Sequence, residues 1–405
     1  MLLFLFMQNV YGWALFGLIA LLVVHPRDKP HTHLQEALRL AETFAGQSCA
    51  HVEVGSARSG SQTPGTFLGS GTVAELAQHC AVAEPTRVFV NATLSGVQQR
   101  NLSAAWGRPV MDRVGLIIAI FGQRARTREA RLQVEMAALD YRASRLVRTL
   151  DPVTGKRGGF GEGSEVVSAR ERGRSGSTSG GLGGAGGGGE SELQLQRRHL
   201  RDRQKTLKTQ LGEVRRTREV QRAARRRAGK PQVAVVGYTN AGKSSLVAAL
   251  SRRPVEARDR LFETLDPTLR KAMLPSGREV ILSDTVGFIS DLPHQLVTAF
   301  KATLEEVVEA DLLVHVVDAS SPALAQQRAT VLDVLRGLGV SEATLASRMV
   351  EEGAAREHPS EWGEPQGRSR VEGDQPAPPR VFTSTVTRAG LAELLRVIDR
   401  KLGVY

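Results

Sequence analysis

Gln232-Val233-Ala234-Val235-Val236 runs without a charged break into Gly237-Tyr238-Thr239-Asn240-Ala241-Gly242-Lys243-Ser244, and a helical pattern follows from Ser245 to Leu250. The octapeptide fits GxxxxGK[ST] in the strand, loop and helix setting that the pattern requires. Glycines let the backbone turn its amides toward phosphate oxygens, and the start of the helix adds a positive dipole end. Lys243 contributes a mobile cation, and Ser244 a hydroxyl suited to magnesium. The stretch predicts an α/β phosphate-binding domain.

Working outward, Val280–Leu282 is a second apolar strand, ending at Asp284-Thr285-Val286-Gly287. An aspartate at a strand end, followed by a glycine whose amide can approach a terminal phosphate, supplies the other half of a phosphate and metal site. DxxG by itself carries little information; after this loop it carries much more. Between the two lies Leu261-Phe262-Glu263-Thr264-Leu265-Asp266-Pro267-Thr268, a polar, turn-forming segment suited to ordering around a γ-phosphate. Thr264 is the first candidate for the hydroxyl completing the magnesium shell, and Thr268 the second. A third strand, Leu312–Val317, ends at Asp318, which gives a sheet whose strand ends lie on one side. The residue after Gly287 is Phe288, where a glutamine would orient the attacking water in small GTPases. Intrinsic hydrolysis should be slow, with help coming from elsewhere in the chain or from a partner.

The remainder of the 405 residues bounds what surrounds this domain. With 41% hydrophobic residues the chain can bury a core, and its length allows two or three domains. Two cysteines, Cys49 and Cys80, exclude a disulfide scaffold and a four-cysteine zinc cluster. The formal charge is +12, and it is concentrated. Arg197 to Lys230 holds fourteen Lys or Arg against three acidic residues, and Arg124 to Arg148 seven against three, so what remains is slightly acidic. Charge of one sign on helices suits an anionic partner. No aromatic residue interleaves the second run, which favours phosphate contact over base stacking.

Residues 34–112 alternate short helices and strands: helix at Leu34–Phe44, strand from His51, helix at Val73–Cys80, strand at Arg87–Val90, helix at Ser95–Trp106 with Ser95 as N-cap, strand end at Val110–Asp112. This predicts a small α/β layer with a parallel sheet. Residues 124–148 read as an amphipathic helix and 149–190 as a Gly/Ser-rich linker, with glycines crowded between Gly180 and Gly189. A second basic helix over 191–230 has Leu193, Leu200, Leu207 and Val214 seven apart and is expected to pair antiparallel with the first. Residues 1–33 form a hydrophobic leader whose apolar part, Leu2 to Val24, is consistent with a membrane anchor, a mis-assigned start, a buried helix or a targeting signal.

Together GYTNAGKSSL, LFETLDPT and DTVGFISDLP resemble the HflX-type GTPases. Arg124 to Glu135 is similar to the ARTREAxLQVE helix of that family, and Gly187 to Gln194 with Arg197-Arg198 to a degraded GPGETxLE…RR signature. Leu292 to Leu296 leans toward the animal mitochondrial branch. The resemblance covers about residue 34 to the end. It implies an N-terminal α/β domain (34–123) and a helical pair that dock on the large ribosomal subunit and its RNA, joined to a Ras-like G domain over 231–405.

 
The protein is expected to act as a monomer. The family is associated with ribosome splitting, rescue or large-subunit assembly, in mitochondria or cytoplasm.

By residue, the resemblance implies phosphate binding by Gly237, Tyr238, Thr239, Asn240, Ala241, Gly242, Lys243 and Ser244. Magnesium falls to Ser244 and Thr264, γ-phosphate sensing to Asp284 and Gly287, and the catalytic set is Lys243, Thr264, Asp284 and Gly287. Phe262, Glu263, Leu265, Asp266, Thr285 and Val286 complete the GTP/GDP-binding loops. Ser384, Thr385 and Val386, preceded by Thr383, stand in for the base-contacting loop. One element departs from the pattern. The NKxD whose aspartate reads guanine should follow Met349-Val350, yet the chain continues Glu351-Glu352-Gly353-Ala354 and holds no NKxD. The strand that carries it is expected to be lost, with 347–380 disordered and preference for GTP over ATP weakened. An alternative reading is an RNA- or ribosome-binding protein whose degenerate nucleotide site no longer cycles.

Overall fold

The computed structural model describes residues 21–26, 31–45, 49–54, 63–146, 192–227, 229–251, 261–262, 264–265, 268–290, 301–354 and 378–403. The N-terminal layer is a four-stranded parallel sheet of β1 (Leu21–Pro26), β2 (Cys49–Val54), β3 (Arg87–Val90) and β4 (Val110–Asp112), in the order β2-β1-β3-β4. The inner strand β1 corrects the sequence reading. Its Leu21 to Val24 fall within the supposed apolar leader, but they are fully buried, two to each face of the sheet. An uninterrupted apolar run is what a parallel strand covered on both faces requires. Those residues therefore belong to the sheet and not to an anchor, and residues 1–20 lie outside the described residues. Among the described residues no helix is long and apolar enough to cross a membrane.

Helices α1 (His31–Ala45), α2 (Ser70–Ala83), α3 (Gly96–Trp106) and α4 (Arg113–Arg124) cover this sheet. Leu21 and Val23 share a core with Ala37, Leu40, Ile117 and Phe121, while Leu22 and Val24 pack with Leu76, Leu102 and Trp106. Ser95 caps α3 as expected, within a capping box completed by Gln98. The sequence reading assigned no element to α4. Asp112 caps it by accepting a hydrogen bond from the Gly115 amide at 2.8 Å.

Two basic helices follow. α5 (Arg128–Arg145) is shorter than the expected 124–148 helix because Thr127 caps it, and α6 spans Glu192–Arg227. They pair antiparallel: Arg203 meets Glu135 at 2.6 Å, and fifteen residues on Arg218 meets Glu129 at 2.7 Å, further back along α5. Leu132, Met136 and Leu139 enclose Leu207, flanked by Leu200 and Leu211. This seam leaves Arg197, Arg198, Arg201, Lys205, Lys208, Arg215 and Arg216 exposed.

The second sheet has six strands in the order β10-β9-β8-β5-β7-β6, with β5 (Gln232–Gly237), β6 (Thr268–Met273), β7 (Glu279–Asp284), β8 (Leu312–Asp318), β9 (Met349–Ala354) and β10 (Arg380–Thr383). All neighbours are parallel except β6 and β7. Helices α7 (Lys243–Ser251), α8 (Lys301–Val308), α9 (Leu324–Gly337), α10 (Glu342–Arg348) and α11 (Leu391–Leu402) are interspersed with these strands. The strand expected to be lost is present as β9, between β8 and β10. Its Glu351 is buried, yet Arg328 approaches it at 2.6 Å and Arg380 at 3.1 Å, so a charged residue is tolerated inside the sheet. Burial alone would raise that carboxyl, but His315 and Arg328 together hold it at about 2. Residues 355–377 lie outside the described residues.

Candidate nucleotide site

The ends of β5, β7, β8, β9 and β10 face one edge of the sheet, and a cavity of about 670 Å³ lies there. The loop after β5 forms its floor. Gly237 must be glycine because a Cβ would stand 2.3 Å from the Val316 carbonyl oxygen on β8. Asn240 and Gly242 turn the chain at φ 62° and 96°, in the left-handed region. The loop is also tied to the segment after β7. The Thr239 amide donates to Phe288 O at 2.7 Å and the Phe288 amide to Gly237 O at 3.1 Å. A Cβ on Gly287 would lie 2.8 Å from Thr239 Cα and 3.0 Å from Lys243 Nζ, so this glycine is needed for the close approach.

Lys243 is buried and its Nζ donates to the Tyr238 carbonyl at 2.7 Å. Burial pulls the ammonium down to about 8, with the Asp284 charge opposing. A bound polyphosphate would add negative charge beside it and hold the proton. Burial pushes the Asp284 carboxyl up, against the hydrogen bond from Ser244 and the Lys243 charge.

The two hydroxyls expected to serve magnesium meet the Asp284 carboxylate here. Ser244 Oγ donates to Asp284 Oδ2 at 2.7 Å, Thr264 Oγ1 donates to the same oxygen at 3.0 Å, and the two hydroxyls are 2.9 Å apart. Asp284 Oδ1 is buried without a partner. An all-oxygen cluster with an unused carboxylate oxygen fits a hard divalent cation, which keeps most of its waters and needs few protein ligands. The second candidate, Thr268, is instead exposed at the start of β6.

Ser384, Thr385 and Val386 line the opposite wall, together with Thr383, Asp318 and Ser320. Behind them Glu352 is buried, accepts a hydrogen bond from Thr383 Oγ1 through Oε1, and leaves Oε2 without a partner. Burial raises its carboxyl to about 7, opposed by the Thr383 hydrogen bond. Phe262 and Thr285 line the cavity, whereas Leu265 and Val286 are buried and are not among its lining residues. The expected contacts of Glu263 and Asp266 fall outside the described residues.

Sequence reasoning missed one wall entirely. His33, Gln35, Glu36 and Arg39 of α1 line the cavity, although they lie about two hundred residues before the phosphate loop. Glu36 accepts hydrogen bonds from Tyr238 and from the buried Arg113, whose guanidinium also donates to Ser290 O at 3.0 Å. Tyr238 and Ser290 are joined at 2.8 Å between hydroxyls, and Phe121 of α4 packs edge-to-face on Phe262 with ring centroids 4.6 Å apart. No local motif announces these contacts; the only trace is a polar row on α1 opposite Ala37 and Ala41.

A parallel sheet with a glycine-lined phosphate loop, a hydroxyl and aspartate cluster beside it and a glycine at the γ-phosphate position defines a P-loop protein of the Ras-like G-domain class. Family models agree along the chain: a GTP-binding GTPase N-terminal region matches residues 31–122, a GTP-binding GTPase middle region 124–225, and a 50S ribosome-binding GTPase 232–345. The GTPase HflX of Escherichia coli is 36% identical over 93% of this chain and 80% of its own length. A GTP-binding protein of Arabidopsis thaliana, chloroplastic by name, is 49% identical over 82% of this chain, which spans 58% of that relative's length. The chain belongs to the HflX GTPase family. A GTP-binding protein of Sulfolobus solfataricus solved with GDP covers 94% of the chain at 18% identity and a TM-score of 0.44, too distant to carry more.

Proposed function

We propose that this chain is a magnesium-dependent GTPase that hydrolyses GTP to GDP and phosphate and acts on the large ribosomal subunit. The observation that carries the reading is the convergence of Ser244, Thr264 and Asp284 beside Lys243 at the phosphate loop. Phosphate-loop amides and Lys243 hold the triphosphate, and magnesium, when bound, neutralises charge on its β and γ oxygens. Gly287 offers its amide to the γ-phosphate. The exposed basic face of α6, with Lys205, Lys208, Arg215 and Arg216, meets ribosomal RNA phosphates. The protein works as a monomer in mitochondria or cytoplasm, and in splitting, rescue or assembly of ribosomes.

Base preference is weak in this reading, because no NKxD carboxylate follows β9 and the loop after β10 presents only hydroxyls and a valine there. Two measurements test the whole. Hydrolysis of GTP is expected to rise at least tenfold when large subunits are titrated in, about 1.4 kcal/mol of barrier; a flat rate removes the ribosomal role. Absence of saturable mant-GTP binding removes the GTPase reading itself.

A further inference from the structure

We propose that Arg39, from the N-terminal layer, is a catalytic residue of the G domain, acting on the transferring phosphoryl group from within the same chain. This rests on the GTPase reading above. The need is stated by the sequence: Phe288 stands where a glutamine would orient water, and a phenyl ring neither holds water nor offsets charge. The cavity shows what is at hand. Apart from Lys243, Arg39 is the only Lys or Arg among the described residues that line it. Its side chain is exposed and, among the described residues, its guanidinium has no ion-pair or hydrogen-bond partner. Arg113, by contrast, is buried and its two terminal nitrogens are held by Glu36, Asn91 and Ser290.

The position of Arg39 is fixed by its helix. Leu34, Ala37, Leu40 and Ala41 bury the opposite side of α1 in the N-terminal core. Glu36, three residues before Arg39, is bonded to Tyr238 of the phosphate loop, and His33 Nε2 lies 2.8 Å from the side chain of Gln326 on α9. The helix thus bridges the mouth of the cavity from the phosphate loop to α9, and the row His33, Glu36, Arg39 faces inward at a spacing of three. Next to Tyr238, Thr239 Oγ1, in a residue only 7% exposed, is buried without a hydrogen-bond partner beside Gly287.

In hydrolysis a water oxygen bonds to the γ-phosphorus as the bond to the β–γ bridging oxygen breaks, leaving that electron pair on GDP. The water gives up its proton to a phosphate oxygen, so the products are GDP and inorganic phosphate. Negative charge grows on the bridging and γ oxygens during this exchange, and a planar guanidinium with several donors is suited to meet it. An arginine supplied in this way, in cis or in trans, raises turnover by orders of magnitude.

The test uses the full chain and compares wild type with Arg39→Ala and Arg39→Lys. Single-turnover GTP hydrolysis is expected to fall at least a hundredfold in Arg39→Ala, with mant-GTP affinity within threefold of wild type. Mant-GDP should bind aluminium fluoride in the wild type and fail to do so in Arg39→Ala, a readout that a loss of packing would not produce while GTP affinity is kept. Arg39→Lys, keeping charge without the fork, should recover part of the rate. Hydrolysis within threefold of wild type, or an intact aluminium fluoride complex, in Arg39→Ala overturns the inference alone. A wild type that hydrolyses no GTP, with or without large subunits, overturns the GTPase reading and the inference with it.

Discussion

The two walls of the cavity differ in what their backbones and side chains agree on. On the phosphate side, strand ends and residue types match: β5 and β7 bring Ser244 and Asp284 to hydrogen-bond distance, and Thr264 joins them. On the base side the strand is in place and the expected residues are not. Residues of β9 pair in register with β8 from Leu313↔Met349 to Asp318↔Ala354, as any strand in that slot would, yet Glu351 turns to Arg328 and Glu352 to Thr383. A β-ladder is made by backbone groups and tolerates unusual side chains where these find partners. Recognition of a nucleotide is made by side chains at particular places, so the same exchange bears directly on the proposed weak base preference.

The sharpest way to break this contrast is on the phosphate side. Lys243→Ala should lower mant-GTP affinity about a thousandfold, roughly 4 kcal/mol, whereas Ser384→Ala with Thr385→Ala should change it less than threefold in an equilibrium titration. Next comes the stability of the base-side strand. Glu352 titrates near 7 in the folded protein and near 4.5 when unfolded, so folding binds its proton more tightly and stability falls as pH rises between those values. Glu352→Gln should therefore match wild type at pH 4.5 and be more stable at pH 8 by about 3 kcal/mol, seen as a higher denaturant midpoint. A wild-type advantage at pH 8 would show that the carboxylate has an unseen partner.

Smaller effects sharpen the comparison. Magnesium should tighten mant-GTP binding at least tenfold in the wild type, about 1.4 kcal/mol, and under threefold in Ser244→Ala; equal responses would move the metal elsewhere. Smallest is base discrimination. ATP should displace mant-GTP within about tenfold of the GTP concentration required, and a preference above a hundredfold would mean that some other group reads guanine.

How far these features could be read from residues alone varies with how local their causes are. The phosphate loop, Asp284, Thr264 and the strand ends at Gly237 and Asp318 follow from short spacings, each with its own chemical reason, and the seam of Leu200, Leu207 and Leu211 follows from heptad spacing. β1 was not legible, because a buried parallel strand and a membrane-type segment are both simply apolar. α4 was overlooked although Val114, Ile117, Ile118 and Phe121 have helical spacing; Asp112, which caps it, also ends β4. β9 looked like a loop because two adjacent glutamates argue against a buried strand, and only the positions of Arg328, Arg380 and Thr383 show how they are accommodated.

By itself the sequence determined that this protein has a phosphate-loop motif with a serine, a threonine and an aspartate spaced to meet beside it, and that its positive charge lies on two helices. These properties need only neighbours in the chain, since a loop's amides, a strand's end and a helix's face are set within a few residues. Tertiary structure alone decided that α1 closes the cavity, placing Glu36 on Tyr238 and Arg39 in the wall. Packing of α4 around Phe262 and Ser290 brings together groups 141 and 177 residues apart, and no periodicity or motif encodes a contact of that range.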